Sequence, residues 1–253
     1  MATIDLNSDV GESFGSWQLP DEQMLDVVSS ANIACGFHAG DPVTMHRTVA
    51  RAVEQGVAIG AHVGYRDLHG FGRRAIAYTA EDLTAEVLYQ IAALDGIART
   101  AGTRVSYVKP HGALYNTIVT DAEQARAVVD AVAAYDRELS LLLLPGSEAM
   151  RYARSVGLPV VGEAFADRAY HPDGTLVSRR EPGAVLHDVD QVVANMLRFC
   201  TDRVIIARDG TEVPTEAASI CTHGDTPGAA QMAQALREAL TAAGVKIRPF
   251  ALG

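Results

Sequence analysis

Along the chain, short runs rich in Val, Ile, Leu and Ala alternate with longer stretches whose apolar residues recur every three or four positions. The short runs predict strands at 3–9, 31–36, 58–63, 104–110, 139–145, 158–166 and 218–224. Helical patterns fall between them, at 20–29, 42–54, 80–101, 122–135, 147–155, 190–200 and 227–243. Asp209-Gly210 is a turn signal that makes a hairpin of 204–207 and 211–213. Asp41 before Pro42 reads as a helix N-cap, and Thr79 followed by Asp82 approaches a capping box. Gly56, Gly102 and Gly157 fall where helices should end. Strands separated by helices imply parallel pairing with right-handed crossovers. No linker, low-complexity tract or repeat interrupts the pattern, so residues 1–253 read as one domain.

Side chains alternate in direction along a strand. In 3–9, Ile4 and Leu6 face one way while Asp5, Asn7 and Asp9 face the other. The apolar pair suits a helix layer, which turns the polar three inward. A buried structural aspartate accounts for Asp5 alone, but not for all three, because each inward polar group is costly unless it is paired. The parity recurs. Asn32 and His38 share it in the second unit, and His62 ends the third strand. Tyr107, Lys109 and His111 follow in the fourth unit, Glu163 and Asp167 in the sixth, and Cys221, His223 and Asp225 in the seventh. Singly, each has a bland alternative: a satisfied structural histidine, a lysine neutralising Asp5 or Asp9, an N-cap at Asp225. Jointly they describe a cleft of titratable groups at the C-terminal ends of nearly every strand. A closed barrel gathers those ends at one face, whereas an open sheet spreads them along an edge. The expected fold is therefore α/β, a seven-stranded parallel β/α barrel.

Gly11, Gly36, Gly40, Gly60, Gly112 and Gly224 accompany these residues and permit close backbone approach. Neither a P-loop nor a G-x-G-x-x-G dinucleotide motif is present. Arg73-Arg74 suits either a clamp for a carboxylate or phosphate, or a solvated pair. With 21 Lys and Arg against 31 Asp and Glu, the net charge of −10 argues against binding nucleic acid or an anionic membrane. Three cysteines with no C-x-x-C pair read as reduced thiols. Neither a leader-like N-terminus nor an apolar run of membrane-spanning length is seen, and the expected location is the cytoplasm.

Six ordered blocks resemble the LamB/YcsF family: Asp5 to Glu12 (DLNSDVGE), Ser29 to Pro42 (SSANIACGFHAGDP), Val108 to Asn116 (VKPHGALYN), Phe165 to Tyr170 (FADRAY), Leu176 to Arg180 (LVSRR) and Ile220 to Pro227 (ICTHGDTP). The resemblance implies a distorted TIM-like barrel related to carbohydrate deacetylases. It also implies ATP-dependent hydrolysis of 5-oxo-L-proline to L-glutamate, as the A component working with two further subunits, B and C. ATP would be a co-substrate with Mg accompanying it, and a homo-oligomer is left open. Ser8 stands where the family often has cysteine, which makes a cysteine nucleophile there untenable. Val63-Gly64 with Arg66 replaces a proline-containing loop after His62.

Opening a lactam needs a base, a cation for the developing oxyanion and an acid. The expected roles are Asp9 or Glu12 as base, Lys109 as electrostatic partner, and His111 or His223 as acid, with Asp225 orienting a histidine. Asp5, Asn7, Asn32, His38, His62, Arg73, Glu163 and Asp167 are the expected substrate-binding residues. Asp9, His38 and His62 are candidate metal ligands, but ATP supplies the activation. The expectation is therefore hydrogen bonding to substrate or water rather than a tightly held metal. The alternatives are a metal-dependent deacetylase-like hydrolase and a non-catalytic substrate-binding subunit.

Overall fold

In the computed structural model, which describes residues 2–224 and 228–251, the first strand already contains the logic of the fold. Strand β1 (Thr3–Val10) turns Ile4, Leu6 and Val10 outward into a continuous apolar layer, all buried, and turns Asp5, Asn7 and Asp9 inward. Its successors are β2 (Ser30–Ala34), β3 (Ala58–Val63), β4 (Tyr107–Pro110), β5 (Ser140–Leu143) and β6 (Val160–Phe165). A short antiparallel hairpin, β7 (Val204–Ile206) with β8 (Glu212–Pro214), precedes β9 (Ala217–Cys221). Among the described residues, seven parallel strands run in the order β1-β2-β3-β4-β5-β6-β9, and β9 pairs back onto β1. The sheet is thus closed, as the gathering of polar strand ends predicts.

The crossovers carry helices α1 (Pro42–Gln55), α2 (Ala80–Thr100), α3 (Gly112–Thr117), α4 (Ala122–Tyr135), α5 (Glu148–Ser155), α6 (Val189–Asp202) and α7 (Ala229–Ala242). Their starts are chemically marked. Asp41, Thr79, Asp121, Ser147 and Asp188 each accept a hydrogen bond from a first-turn backbone N–H. Gly56 closes α1 in the left-handed conformation (φ 67°).

Two local expectations are corrected, and one strand was not foreseen. The segment expected to be helical over 20–29 forms only a 3-10 turn, Pro20–Asp26, because Leu19 offers no side-chain cap. Beyond it the chain is already captured by the sheet: Ser29 N donates to Leu6 O (2.8 Å), and Leu6 N donates to the Ser29 hydroxyl (2.9 Å). The strand expected from 104 begins its ladder only at Tyr107, opposite Gly60. Strand β10 (Lys246–Ile247) escaped prediction because it is two residues long; it pairs with Thr3 and Ile4 at the start of β1.

That end of the barrel is filled. The Tyr107 ring lies across β3, where a Cβ on Gly60 would come within 2.2 Å of it, so only glycine fits. The Tyr107 hydroxyl donates to Asn32 (2.7 Å), and the Phe250 ring packs edge-on against Tyr107 at 4.8 Å. No helix among the described residues is long and apolar enough to cross a membrane.

Leu6 is fully buried between β1 and the helical layer. Leu6→Ala should lower unfolding free energy by about 2–5 kcal/mol, the usual range for a core leucine. Urea denaturation measures it, and a loss below about 1 kcal/mol would mean the outward parity of β1 is misassigned.

Candidate active site

The barrel interior is polar, and its central charge is Lys109, 2% exposed. Nζ donates to Glu163 Oε1 (2.8 Å), Asp9 Oδ1 (3.1 Å) and Asn7 Oδ1 (3.3 Å), and lies 3.2 Å from Cys221 Sγ. Burial works against the ammonium, but Asp9, Cys221 and Glu163 outweigh it and raise its pKa well above the ordinary value. Burial likewise opposes charge on Asp9. The Lys109 ammonium beside it nevertheless helps hold its carboxyl well below the usual range, so it is ionised. Asn32 donates to both Asn7 and Asp9 (2.7 and 2.8 Å), and Asn7 donates to Glu163 and Ser219 (2.9 and 2.7 Å). Below them, Asp5 accepts from the hydroxyls of Ser29 (2.7 Å), Ser30 (2.6 Å) and Ser219.

A layer of histidines lies toward the C-terminal end of the barrel. His62 Nδ1 donates to the Lys109 carbonyl (3.0 Å), and His111 Nε2 donates to the Phe71 carbonyl (2.8 Å). Carbonyl oxygens can only accept, which assigns both tautomers. The remaining nitrogens, His62 Nε2 and His111 Nδ1, face each other at 2.9 Å. His38 stacks flat on His111 (centroids 3.7 Å apart, 5° between planes), and its Nε2 lies 3.2 Å from Glu12 Oε1. The stack depends on Gly72, in the left-handed region (φ 61°), where a Cβ would sit 2.6 Å from His38 and 2.7 Å from His111. Burial pushes His38 down to about 3 and His111 well below its ordinary value, the latter helped by its histidine neighbours.

Above these layers opens a cavity of about 780 Å³ lined by Asp9, Glu12, His62, Lys109, His111 and His223, with Arg73, Arg179 and Arg180 also on its wall. Both Asp167 carboxylate oxygens lie 2.9 Å from His223 Nδ1, which donates to them. Burial opposes the Asp167 charge, but His223 holds the carboxyl below its ordinary range. Nδ1 is committed to Asp167, which leaves Nε2 as the ring nitrogen not engaged by that carboxylate. Phe165, stacked near His223 at 5.8 Å, supplies an apolar flank.

A family model described as the LamB/YcsF family matches residues 4–252. The chain belongs to the LamB/YcsF family. It is 58% identical over 249 residues to the A subunit of 5-oxoprolinase from Paracidovorax citrulli, covering 98% of this chain and 99% of that protein. The crystal structure of a lactam utilization protein from Thermus thermophilus superposes with a TM-score of 0.93 at 44% identity, covering 98% of this chain and 100% of that one. The catalytic domain of a peptidoglycan N-acetylglucosamine deacetylase from Eubacterium rectale covers 98% of this chain and 88% of its own, with TM-score 0.52 and 11% identity. The last comparison bears on the fold alone, and it agrees with the deacetylase-related barrel.

Within this LamB/YcsF chain, the expected residues separate by depth. Asp9, Glu12, His62, Arg73, Lys109, His111 and His223 reach the cavity wall. Asp5, Asn7, Asn32, His38 and Glu163 do not line it; they lie beneath or behind the wall in a network of hydrogen bonds with it and with one another. Asp167 orients His223, the role expected of Asp225, which lies outside the described residues. Arg73 is on the wall with its guanidinium 4.8 Å from the Phe71 ring centroid, whereas Arg74 turns away to pair with Asp67. Sequence reasoning missed Asp21, whose buried Oδ2 accepts from Glu12 N (2.7 Å) and fixes that residue's backbone. Pro20-Asp21 carries only the signature of a helix start.

Asp5 yields a signed pH prediction. Burial raises its carboxyl from 3.8 to about 6 in the folded chain. Its contribution to stability is therefore present below the unfolded value and lost as pH rises through about 6. Between about pH 4.5 and 7.5 the wild type should lose stability relative to Asp5→Asn, read as a difference in urea midpoint at constant m. A wild type that gains on the variant over that interval would contradict the assignment.

Proposed function

We propose that this chain is the A subunit of an ATP-dependent 5-oxoprolinase, a cytoplasmic enzyme that opens 5-oxo-L-proline to L-glutamate together with two partner subunits. The observation that carries the chemistry is the grouping of an ionised Asp9 beside Lys109 with an Asp167-oriented His223 on one cavity wall. Donor atoms of Asp9 and His223 lie within 4.8 Å of each other, close enough to act on one small ring. The names of the relatives supply the substrate class, and the site supplies the groups that class requires.

A γ-lactam is a stable amide, and transfer of a phosphoryl group from ATP to its oxygen makes the ring carbon electrophilic. Water then adds to that carbon, and breaking the carbon–nitrogen bond leaves the ring-opened acyl phosphate, γ-glutamyl phosphate; a second water hydrolyses it to the carboxylate and inorganic phosphate. Asp9, held ionised, accepts the proton from the attacking water. His223 delivers a proton to the departing ring nitrogen, with Asp167 keeping its Nδ1 committed and its Nε2 free to act. Lys109 has its three protons directed at Glu163, Asp9 and Asn7, so it acts through its field: it keeps Asp9 charged and in place. Arg73, Arg179 and Arg180 suit the substrate carboxylate and the phosphoryl group, since planar guanidinium forks match both. The chain has no P-loop, which favours delivery of the ATP-derived phosphoryl group with the help of the partners, Mg accompanying the nucleotide.

Lys109→Ala and His223→Ala should each reduce turnover of the reconstituted complex by roughly 10² or more, the usual loss for a positioned charge or proton carrier. His223→Ala is the cleaner test, because Lys109 is buried between two carboxylates and its removal also strains the interior. A well-folded His223→Ala with near-normal turnover would exclude the proton role.

The isolated chain should release almost no ADP or glutamate from ATP and 5-oxoproline. Adding both partner subunits should bring the two products out in step. Full coupled turnover by the chain alone would remove the need for partners.

A further inference from the structure

The contact between His62 and His111 is unusual. Each neutral imidazole has one N–H, and both are spent on backbone carbonyls, at Lys109 O and Phe71 O. Two lone pairs are thereby left facing each other at 2.9 Å. Such a contact is repulsive unless a positive centre sits against both. A carboxylate oxygen flanks each nitrogen: Asp9 Oδ2 lies 3.3 Å from His62 Nε2, and Glu12 Oε1 lies 3.5 Å from His111 Nδ1.

We propose that His62, His111, Glu12 and Asp9 form a binding site for one divalent transition-metal ion. Separations of 2.9–3.5 Å between neighbouring donor atoms are the edges expected around an ion with bonds of about 2.1 Å. Two imidazoles with carboxylate oxygen suit zinc, manganese, iron(II) or cobalt. The carbonyls at Lys109 and Phe71 are the outer partners that fix each ring's tautomer with its lone pair inward, as ligating histidines require. His38, stacked behind His111 and hydrogen-bonded to Glu12, is a positioning residue rather than a ligand, and it is absent from the cavity wall. All four proposed ligands line the cavity, so the ion keeps a side open to water or substrate.

A second proton shared by the two rings is the competing source of positive charge. A rival donor group, Asp9 with Cys221 and His223, is unsuited to a metal. The Lys109 ammonium already occupies it, 3.2 Å from Cys221 Sγ and 3.1 Å from Asp9 Oδ1. When bound, the ion would polarise a water or a substrate oxygen at the inner wall. From the sequence no tightly held metal is expected, with Asp9, His38 and His62 only as candidates; the proposed set replaces His38 with His111 and Glu12.

The test needs neither ATP, lactam nor partner, so it stands or falls apart from the 5-oxoprolinase reading. The purified full chain is stripped with chelator and titrated with Zn²⁺, then with Co²⁺, whose visible d–d bands report coordination. One equivalent per chain is expected, with bands characteristic of nitrogen and oxygen ligands. His111→Asn and Glu12→Gln should each weaken affinity by roughly 10²-fold or more, since losing a ligand exceeds the 10–100-fold typical of an outer partner. Cys221→Ser, which disrupts the rival group, should leave affinity unchanged. Circular dichroism checks each variant, and the wild-type titration is informative without them. Failure of the wild type to take up Zn²⁺ or Co²⁺ at micromolar concentration would overturn the proposal, as would unchanged affinity in folded His111→Asn. A ¹⁵N imidazole spectrum showing a proton held between His62 and His111 in metal-treated chain would assign the contact to that proton instead.

Discussion

The structure depends on holding one buried cation among buried carboxylates inside a closed sheet. Lys109 between Asp9 and Glu163 is tolerable only because the polar groups around it are matched to one another. That requirement propagates through the barrel. Asn7 must bridge Glu163 and Ser219, Asn32 must donate to both Asn7 and Asp9, and Tyr107 must reach Asn32. Tyr107 in turn demands glycine at position 60. A barrel normally filled by branched aliphatic side chains is here filled by a hydrogen-bonded network, and the apolar core has moved to the strand–helix interface.

Much of this was legible from alternation alone. Asp5, Asn7 and Asp9 opposite Ile4 and Leu6 can have only one arrangement if the apolar pair is buried, and that parity extends to Tyr107, Lys109, Glu163 and Cys221. Parity gives direction, but it does not give depth. Asp5 and Asp9 share a face, yet one is sealed among serine hydroxyls while the other meets the cavity. Depth is set by how the strands are staggered, through the register between β1 and β9 and the bulge between Gly162 and Glu163, which no single-strand pattern contains.

The loops were less legible. His38 and His111 lie beyond their strands, where alternation no longer applies, and their stacking is created by Gly72 from a third loop. The resemblance to the family singled out these residues as a set. It could not say that His38 braces His111 and stays off the cavity wall. Asp167 shows the same limit: its partnership with His223 joins residues 56 positions apart across the β6–β9 pair. The mouth has a different character from the interior. There Arg73 rests on the Phe71 ring, which in turn meets Trp17 edge-on. The cationic rim is therefore separate from the hydrogen-bonded interior beneath it.

The plugged end of the barrel has a consequence for traffic. With Tyr107, Phe250 and the Asp5–serine cluster packed across it, the described residues make the cavity a blind well and not a channel. Among the described residues, reactants and products meet the site from the same side, so a product held at the inner wall stands in the way of the next reactant. A ligand left at the inner wall blocks everything above it. The same dead end also limits bulk water to what the mouth admits, so whatever covers the mouth controls the hydration of the site.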